Sequence, residues 1–239
     1  MLEIRNFSES YGSSVKAVDN LSLVVESGEI YGFVGHNGAG KTTTIKAVAG
    51  ILQLKEGEVW IDGQSMKDHP VACKKKIAYI PDNPDIYESM SGIAYLNFIA
   101  DMYEINSEKR NERIKKYADM FELTPRLSDF ISSYSHGMRQ KLVLISALIH
   151  EPKLMILDEP FVGLDPKATH QLKEIMKEMC AKGASIFFSS HVLEVVQKLC
   201  DKVAIIKKGK LIASGTIDSV IGNQSLEDVF LELTDDQHE

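Results

Sequence analysis

The residues best suited to chemistry begin at Gly35-His36-Asn37-Gly38-Ala39-Gly40-Lys41-Thr42. Their spacing is G-x-x-x-x-G-K-[ST], which makes a loop whose backbone N–H groups face phosphate oxygens. The glycines permit so tight a curl. A helix opening at Lys41 adds the positive end of its dipole to the same place. Lys41 is expected to reach the β- and γ-phosphates of a nucleotide. Thr42 offers a hydroxyl to Mg²⁺, and Thr43 joins it at the helix start. A glycine-rich turn could match this pattern by accident, but here an apolar strand precedes it and a helical stretch follows.

A second concentration is Leu154-Met155-Ile156-Leu157-Asp158-Glu159. Four apolar residues read as a buried strand, and its end delivers two adjacent carboxylates. Asp158 suits the Mg²⁺ of the phosphate loop. Glu159 suits acceptance of a proton from an attacking water. Alone, such a pair reads more simply as a helix cap; beside a phosphate loop it reads as chemistry.

These groups need strands to carry them. Residues 1–30 read as short strands joined by turns at Tyr11-Gly12-Ser13-Ser14 and Ser27-Gly28. Strands are expected over 30–34, 58–61, 77–80, 154–157, 186–188 and 203–206, and helices over 41–49 and 141–150. A helical pattern runs through 93–121, and the tail after Thr234 is expected to fray. Strands alternating with helices predict a mostly parallel sheet, hence an α/β fold. The expected organisation is one domain. Residues 1–85 and 152–222 form a nucleotide-binding core with an N-terminal antiparallel β-subdomain. Residues 86–151 form an inserted helical subdomain, and 223–239 a C-terminal tail.

Composition narrows the class. A chain of 239 residues can bury a sizeable core. Its 27 Lys and Arg against 34 Asp and Glu leave a net charge of −7, which argues against a chain built to coat nucleic acid. Cys73, Cys180 and Cys200 lack metal-ligand spacing and read as reduced, buried thiols of a cytoplasmic protein. No apolar run approaches the roughly 18 residues of a membrane span, and residues 1–6 alternate as a strand rather than a signal peptide. A membrane role would need a partner.

Four further features stand in a fixed order around the two motifs: Tyr11, Tyr134-Ser135-His136-Gly137-Met138, Gly163-Leu164-Asp165 and Ser189-Ser190-His191. With them the chain resembles, over essentially its whole length, the ATP-binding subunits of ABC transporters. The resemblance implies a P-loop ATPase core that binds ATP with Mg²⁺ and hydrolyses it. It implies that Tyr11 stacks on adenine, that Ser135–Met138 is the signature acting across a dimer, that Asp165 lies in the D-loop and that His191 is the switch histidine. It also implies two copies head to tail beneath a membrane-spanning permease, at the inner face of the cell membrane. Each residue has a plainer reading too: Ser135 as a helix N-cap, His191 as a core histidine, Tyr11 as a tyrosine packed on the β-subdomain.

The departures are specific. Only Ser135 and Gly137 of the usual Leu-Ser-Gly-Gly-Gln are kept, and Asp82 stands where the family has its Q-loop glutamine. A carboxylate there can bind Mg²⁺ directly or through water. Asp82, the altered signature and the closing Ser225-Leu226-Glu227-Asp228-Val229-Phe230 look most like the drug and bacteriocin exporter branch. Residues 82–95, with Ile86, Tyr87, Met90 and Ile93 exposed, are the expected docking groove for the permease, with a core-packing loop as the plainer reading. The competing classes are a soluble ABC-type ATPase acting on a ribosome or nucleic-acid complex, and a P-loop kinase. A single phosphate loop, no sustained heptads and the unexplained signature weigh against them.

Overall fold

The computed structural model describes residues 1–12 and 16–234. Ser13 and Ser14 of the expected first turn, and the tail after Thr234, lie outside the described residues.

Chain order begins with β1 (Leu2–Ser10), β2 (Lys16–Val25), β3 (Ile30–Val34), α1 (Lys41–Val48), β4 (Glu56–Ile61), β5 (Gln64–Ser65), α2 (Pro70–Lys74) and β6 (Ile77–Ile80). A helical stretch follows: α3 (Gly92–Met102), α4 (Ser107–Met120) and α5 (His136–Leu148). The chain then returns to alternation with β7 (Leu154–Asp158), α6 (Pro166–Ala181), β8 (Ser185–Ser190), α7 (Leu193–Leu199), β9 (Lys202–Lys207) and β10 (Lys210–Thr216). It closes on α8 (Ile217–Ile221) and α9 (Leu226–Thr234).

Two sheets result, as the α/β reading expects. One is four-stranded and antiparallel, in the order β2-β1-β4-β5. The other has the order β10-β9-β3-β8-β7-β6, parallel throughout except for β10 at one edge. Strands β3, β7 and β8 are buried along their whole length, which is why short apolar runs mark them in the sequence.

Strand periodicity sends alternate side chains to opposite faces. Leu154 and Ile156 of β7 join Tyr31, Phe33, Phe187 and Ile45 in a core shared with the antiparallel sheet and α1. Met155 and Leu157 face the other way, into a core with Phe188, Leu144, Leu148 and Met176. Each fully buried Phe or Leu contributes about 1.5–3 kcal/mol of transfer free energy, so these two layers hold the parallel sheet rigid between them.

Local boundaries differ from expectation in three places. The helical pattern over 93–121 is two helices, because Glu104 adopts a left-handed φ of 55° and Asn106 caps a fresh start by accepting from the Lys109 N–H at 3.0 Å. Helix α5 begins at His136, earlier than the apolar pattern over 141–150 but at the cap that Ser135 offered. Residues 226–234, assigned to a tail, form α9, with Leu226, Val229 and Phe230 buried.

No helix among the described residues is long and apolar enough to cross a membrane. The three cysteines are buried and unpaired.

Candidate functional site

The parallel strands all present their C-terminal ends on one edge, where open α/β sheets place their ligand sites. The phosphate loop follows β3, Asp82 follows β6, Asp158 and Glu159 end β7, and His191 follows β8. Sheet order therefore gathers residues that sequence separates by more than a hundred positions.

The loop is shaped by contacts that exclude side chains. Gly40 has φ 109°, and a Cβ there would meet the Ala17 carbonyl oxygen at 2.5 Å. A Cβ on Gly35 would meet the Ile206 carbonyl oxygen at the same distance. The Ala39 N–H donates to the His36 carbonyl at 3.1 Å, closing the turn. Lys41, only 7% exposed, donates from Nζ to the carbonyls of Gly35 at 2.6 Å and His36 at 3.3 Å. Burial lowers its pKa, with Glu159 and Asp158 pulling the other way. An ammonium so placed gains most from an incoming anion.

Asp158 is 3% exposed and accepts from the Ser189 hydroxyl at 2.5 Å. Glu159 has a left-handed φ of 50°, a conformation costing a non-glycine residue about 1–3 kcal/mol. Its N–H donates to the Ser189 carbonyl at 3.2 Å and to the Ser189 hydroxyl at 3.1 Å, which holds it there. Its carboxylate meets His191 twice, the backbone N–H at 3.2 Å and ring Nδ1 at 2.8 Å. The His191 side chain is 58% exposed, so the core-histidine reading is wrong.

Two adjoining cavities, of about 660 and 410 Å³, share His36, Asn37, Asp82 and Glu159 in their linings. The smaller also holds Gly38, Gly40, Lys41, Thr42, Thr43 and Asp158; the larger holds Gly35, His191 and Phe230. Ala39, between them in the loop, is buried. Burial first, then the Asp158 and Asp82 carboxylates, push the Tyr79 hydroxyl up to about 12. Asp82, Asp158, Glu159 and Thr42 line the smaller cavity with hard oxygen donors, a set that suits Mg²⁺ together with phosphate and water oxygens.

The remaining expected residues lie elsewhere. None of Ser135, His136, Gly137 and Met138 lines either cavity. Ser135 caps α5 by accepting from the Met138 N–H at 3.3 Å. A Cβ on Gly163 would meet Gln140 Oε1 and His136 Cδ2, each at 2.7 Å, so α5 packs directly on Gly163 of its own chain. Asp165 caps α6 and pairs with Lys141 at 2.6 Å, which lowers its pKa. Tyr11 is 57% exposed, and its hydroxyl lies 3.4 Å from Thr43 Oγ1. It takes no part in the β-subdomain core.

The sequence pattern of the family described as ABC transporter matches residues 18–162. The chain belongs to that family. It is 38% identical over 214 residues to an uncharacterized ABC transporter ATP-binding protein, YhcH, of Bacillus subtilis (strain 168), covering 89% of this chain and 68% of YhcH. It is 32% identical over 216 residues to the linearmycin resistance ATP-binding protein LnrL of the same organism, covering 90% of this chain and 69% of LnrL. A solved ATP-binding subunit of an ABC transporter superposes with a TM-score of 0.94 at 36% identity, covering 98% of this chain and 100% of that one. The protein is an ATP-binding, ATP-hydrolysing ABC transporter subunit.

Sequence reasoning missed two contributors to this ABC ATPase site. Ser189 binds the Asp158 carboxylate and the Glu159 backbone N–H, yet it reads as one more strand residue; only the contiguous Ser189-Ser190 before His191 hinted at a polar strand end. Phe230 comes from a segment read as tail.

Tyr11 yields a direct expectation. If its ring stacks on adenine, Tyr11→Ala raises the KM for ATP while Tyr11→Phe leaves it unchanged. Base–aromatic stacking is worth about 1–3 kcal/mol, or about 5- to 150-fold in KM. Equal KM values for the two variants, measured by phosphate release, would exclude stacking.

Proposed function

We propose that this subunit closes on a second copy of itself around two ATP molecules and so drives a membrane-spanning permease. One observation carries the reading: the phosphate loop, Asp158 and Glu159 share one cavity lining, and the signature segment has no place in it. A signature that cannot serve its own chain's loop can serve another's, and a two-fold axis completes both sites at once.

In each site the loop amides and Lys41 hold the β- and γ-phosphates, and Tyr11 holds the base. Thr42, Asp158 and Asp82 hold Mg²⁺, which neutralises charge on the phosphates when bound. Ser135, His136, Gly137 and Met138 of the opposite copy close over the γ-phosphate, using the free N–H groups at the start of α5. The D-loop with Asp165 lies at the contact between copies. Glu159, its carboxylate held by His191, takes a proton as water attacks the γ-phosphorus; the bond to the β–γ bridging oxygen breaks, leaving ADP and phosphate.

The division into a core (1–85, 152–222), a signature-bearing helical subdomain (86–151) and a C-terminal segment (223–239) belongs to this reading. The helical subdomain supplies the permease contact, though not with the surface first expected. Ile86, Met90 and Ile93 pack against the core, whereas Tyr87 and Phe98 stay exposed, edge to face at 6.0 Å. Export is the favoured direction, supported by the altered signature, Asp82 and the likeness to LnrL. The subunit then sits at the inner face of the cell membrane through its partner. Nucleic acid has no part in this scheme.

Mixing two inactive variants tests the composite site. Lys41→Ala destroys a loop, and Ser135→Arg fills the space for the γ-phosphate on a signature. Random pairing makes half the dimers mixed, each with one intact site of two, so the mixture should regain about a quarter of wild-type turnover. Activity that stays at the level of either variant alone would refute sites shared between chains.

A further inference from the structure

The larger cavity has a wall that no nucleotide-binding motif supplies. Phe230 of α9 lines it with His36, Glu159 and His191. The Phe230 ring sits against the His36 imidazole, with centroids 4.8 Å apart and planes tilted by 59°.

Two positions of α9 are tied to the site. The Leu226 N–H donates to Gln197 Oε1 at 2.9 Å, and Gln197 belongs to α7, the helix that follows His191. Phe230, one turn further on, is 7% exposed and reaches the phosphate loop. The helix therefore bridges the switch-histidine segment and the loop.

His36 is where such a contact matters. Its carbonyl accepts from both the Ala39 N–H and Lys41 Nζ, so its backbone orientation sets the curl of the loop. The neighbouring Gly35 is confined by the Ile206 carbonyl. The His36 side chain itself is exposed and rests on Phe230. An array of N–H donors binds phosphate well only when it is held in place beforehand.

We propose that Phe230 is a positioning residue for ATP: its ring holds His36, and thereby the phosphate loop, in the conformation that receives the triphosphate. This rests on the reading that residues 35–42 bind the phosphates.

The plainer role for Phe230 is to fill the core beside Leu226 and Val229. Phe230→Leu separates the two, since it keeps apolar volume and removes the ring. With a trinitrophenyl-ATP titration for binding and phosphate release for turnover, Phe230→Leu should weaken binding and raise KM about fivefold with kcat within about twofold of wild type. His36→Ala, at an exposed position, should do the same. The double variant should be no worse than either single one, because both remove one contact. Wild-type binding in Phe230→Leu or in His36→Ala overturns the proposal, and so do effects that multiply in the double variant. Lys41→Ala in the same titration separates the two levels of inference. Undiminished binding there refutes the phosphate-loop reading itself. Weakened binding there, with Phe230→Leu like wild type, refutes only the role of Phe230.

Discussion

Glu159→Gln is expected to lower ATP turnover by about 100-fold or more, the span over which a positioned general base acts, while ATP remains bound. Glutamine keeps the length and the accepting oxygen that His191 meets at 2.8 Å, but it does not take a proton at neutral pH. The backbone of residue 159 stays in its left-handed conformation, because the Ser189 contacts that hold it involve the Glu159 N–H and not its side chain. The uncleaved nucleotide should then hold two copies together. ATP bound only by the closed dimer stabilises it by mass action, about 2.7 kcal/mol at a hundred times Kd. Light scattering on gel-filtered Glu159→Gln protein should show a dimer with ATP and a monomer without it. Ser135→Arg in the same background should abolish the ATP-dependent dimer. Persistent turnover would remove Glu159 from the role of base, and a mass that stays monomeric at saturating ATP would remove the composite site.

Lys41→Ala is expected to weaken ATP binding by about tenfold or more and to abolish measurable hydrolysis. Hydrogen bonds to charged groups contribute about 1.5–3 kcal/mol each, and Lys41 is the only lysine or arginine among the described residues that line the smaller cavity. The fold should survive. The Lys41 ammonium bonds only loop carbonyls, those of Gly35 and His36, and burial already disfavours its charge. Removing it relieves that cost, so the melting temperature without nucleotide should be unchanged or higher. Calorimetric titration with ATP and a circular-dichroism melt check both halves. Wild-type turnover in this variant would end the assignment of residues 35–42 as the phosphate loop.

Much of this protein is legible in the order of its residues. The loop 35–42 declares itself because phosphate binding at a helix start needs small residues, a lysine and a hydroxyl at fixed intervals, and intervals are what a sequence records. Buried strands such as β7 and β8 show as short apolar runs, 154–157 and 186–188, because both their faces are covered. The helix cap at Ser135 and the carboxylates at the end of β7 are local in the same sense.

Contacts between distant segments decided the rest. Sheet order brings Ser189 beside Asp158 and Glu159, and no spacing along the chain encodes that pairing. Whether Ile86, Met90 and Ile93 face solvent or core depends on what packs over them, so an apolar pattern alone left it open; they are half-buried against the core. Helix α9 looked like a tail because its apolar face is short and its partners lie on other elements: Gln197 on α7, and His36 in the loop. Periodicity reports the faces a segment can bury. Only tertiary packing determines what each face meets, and here it carried Phe230 from the end of the chain to the wall of the nucleotide site.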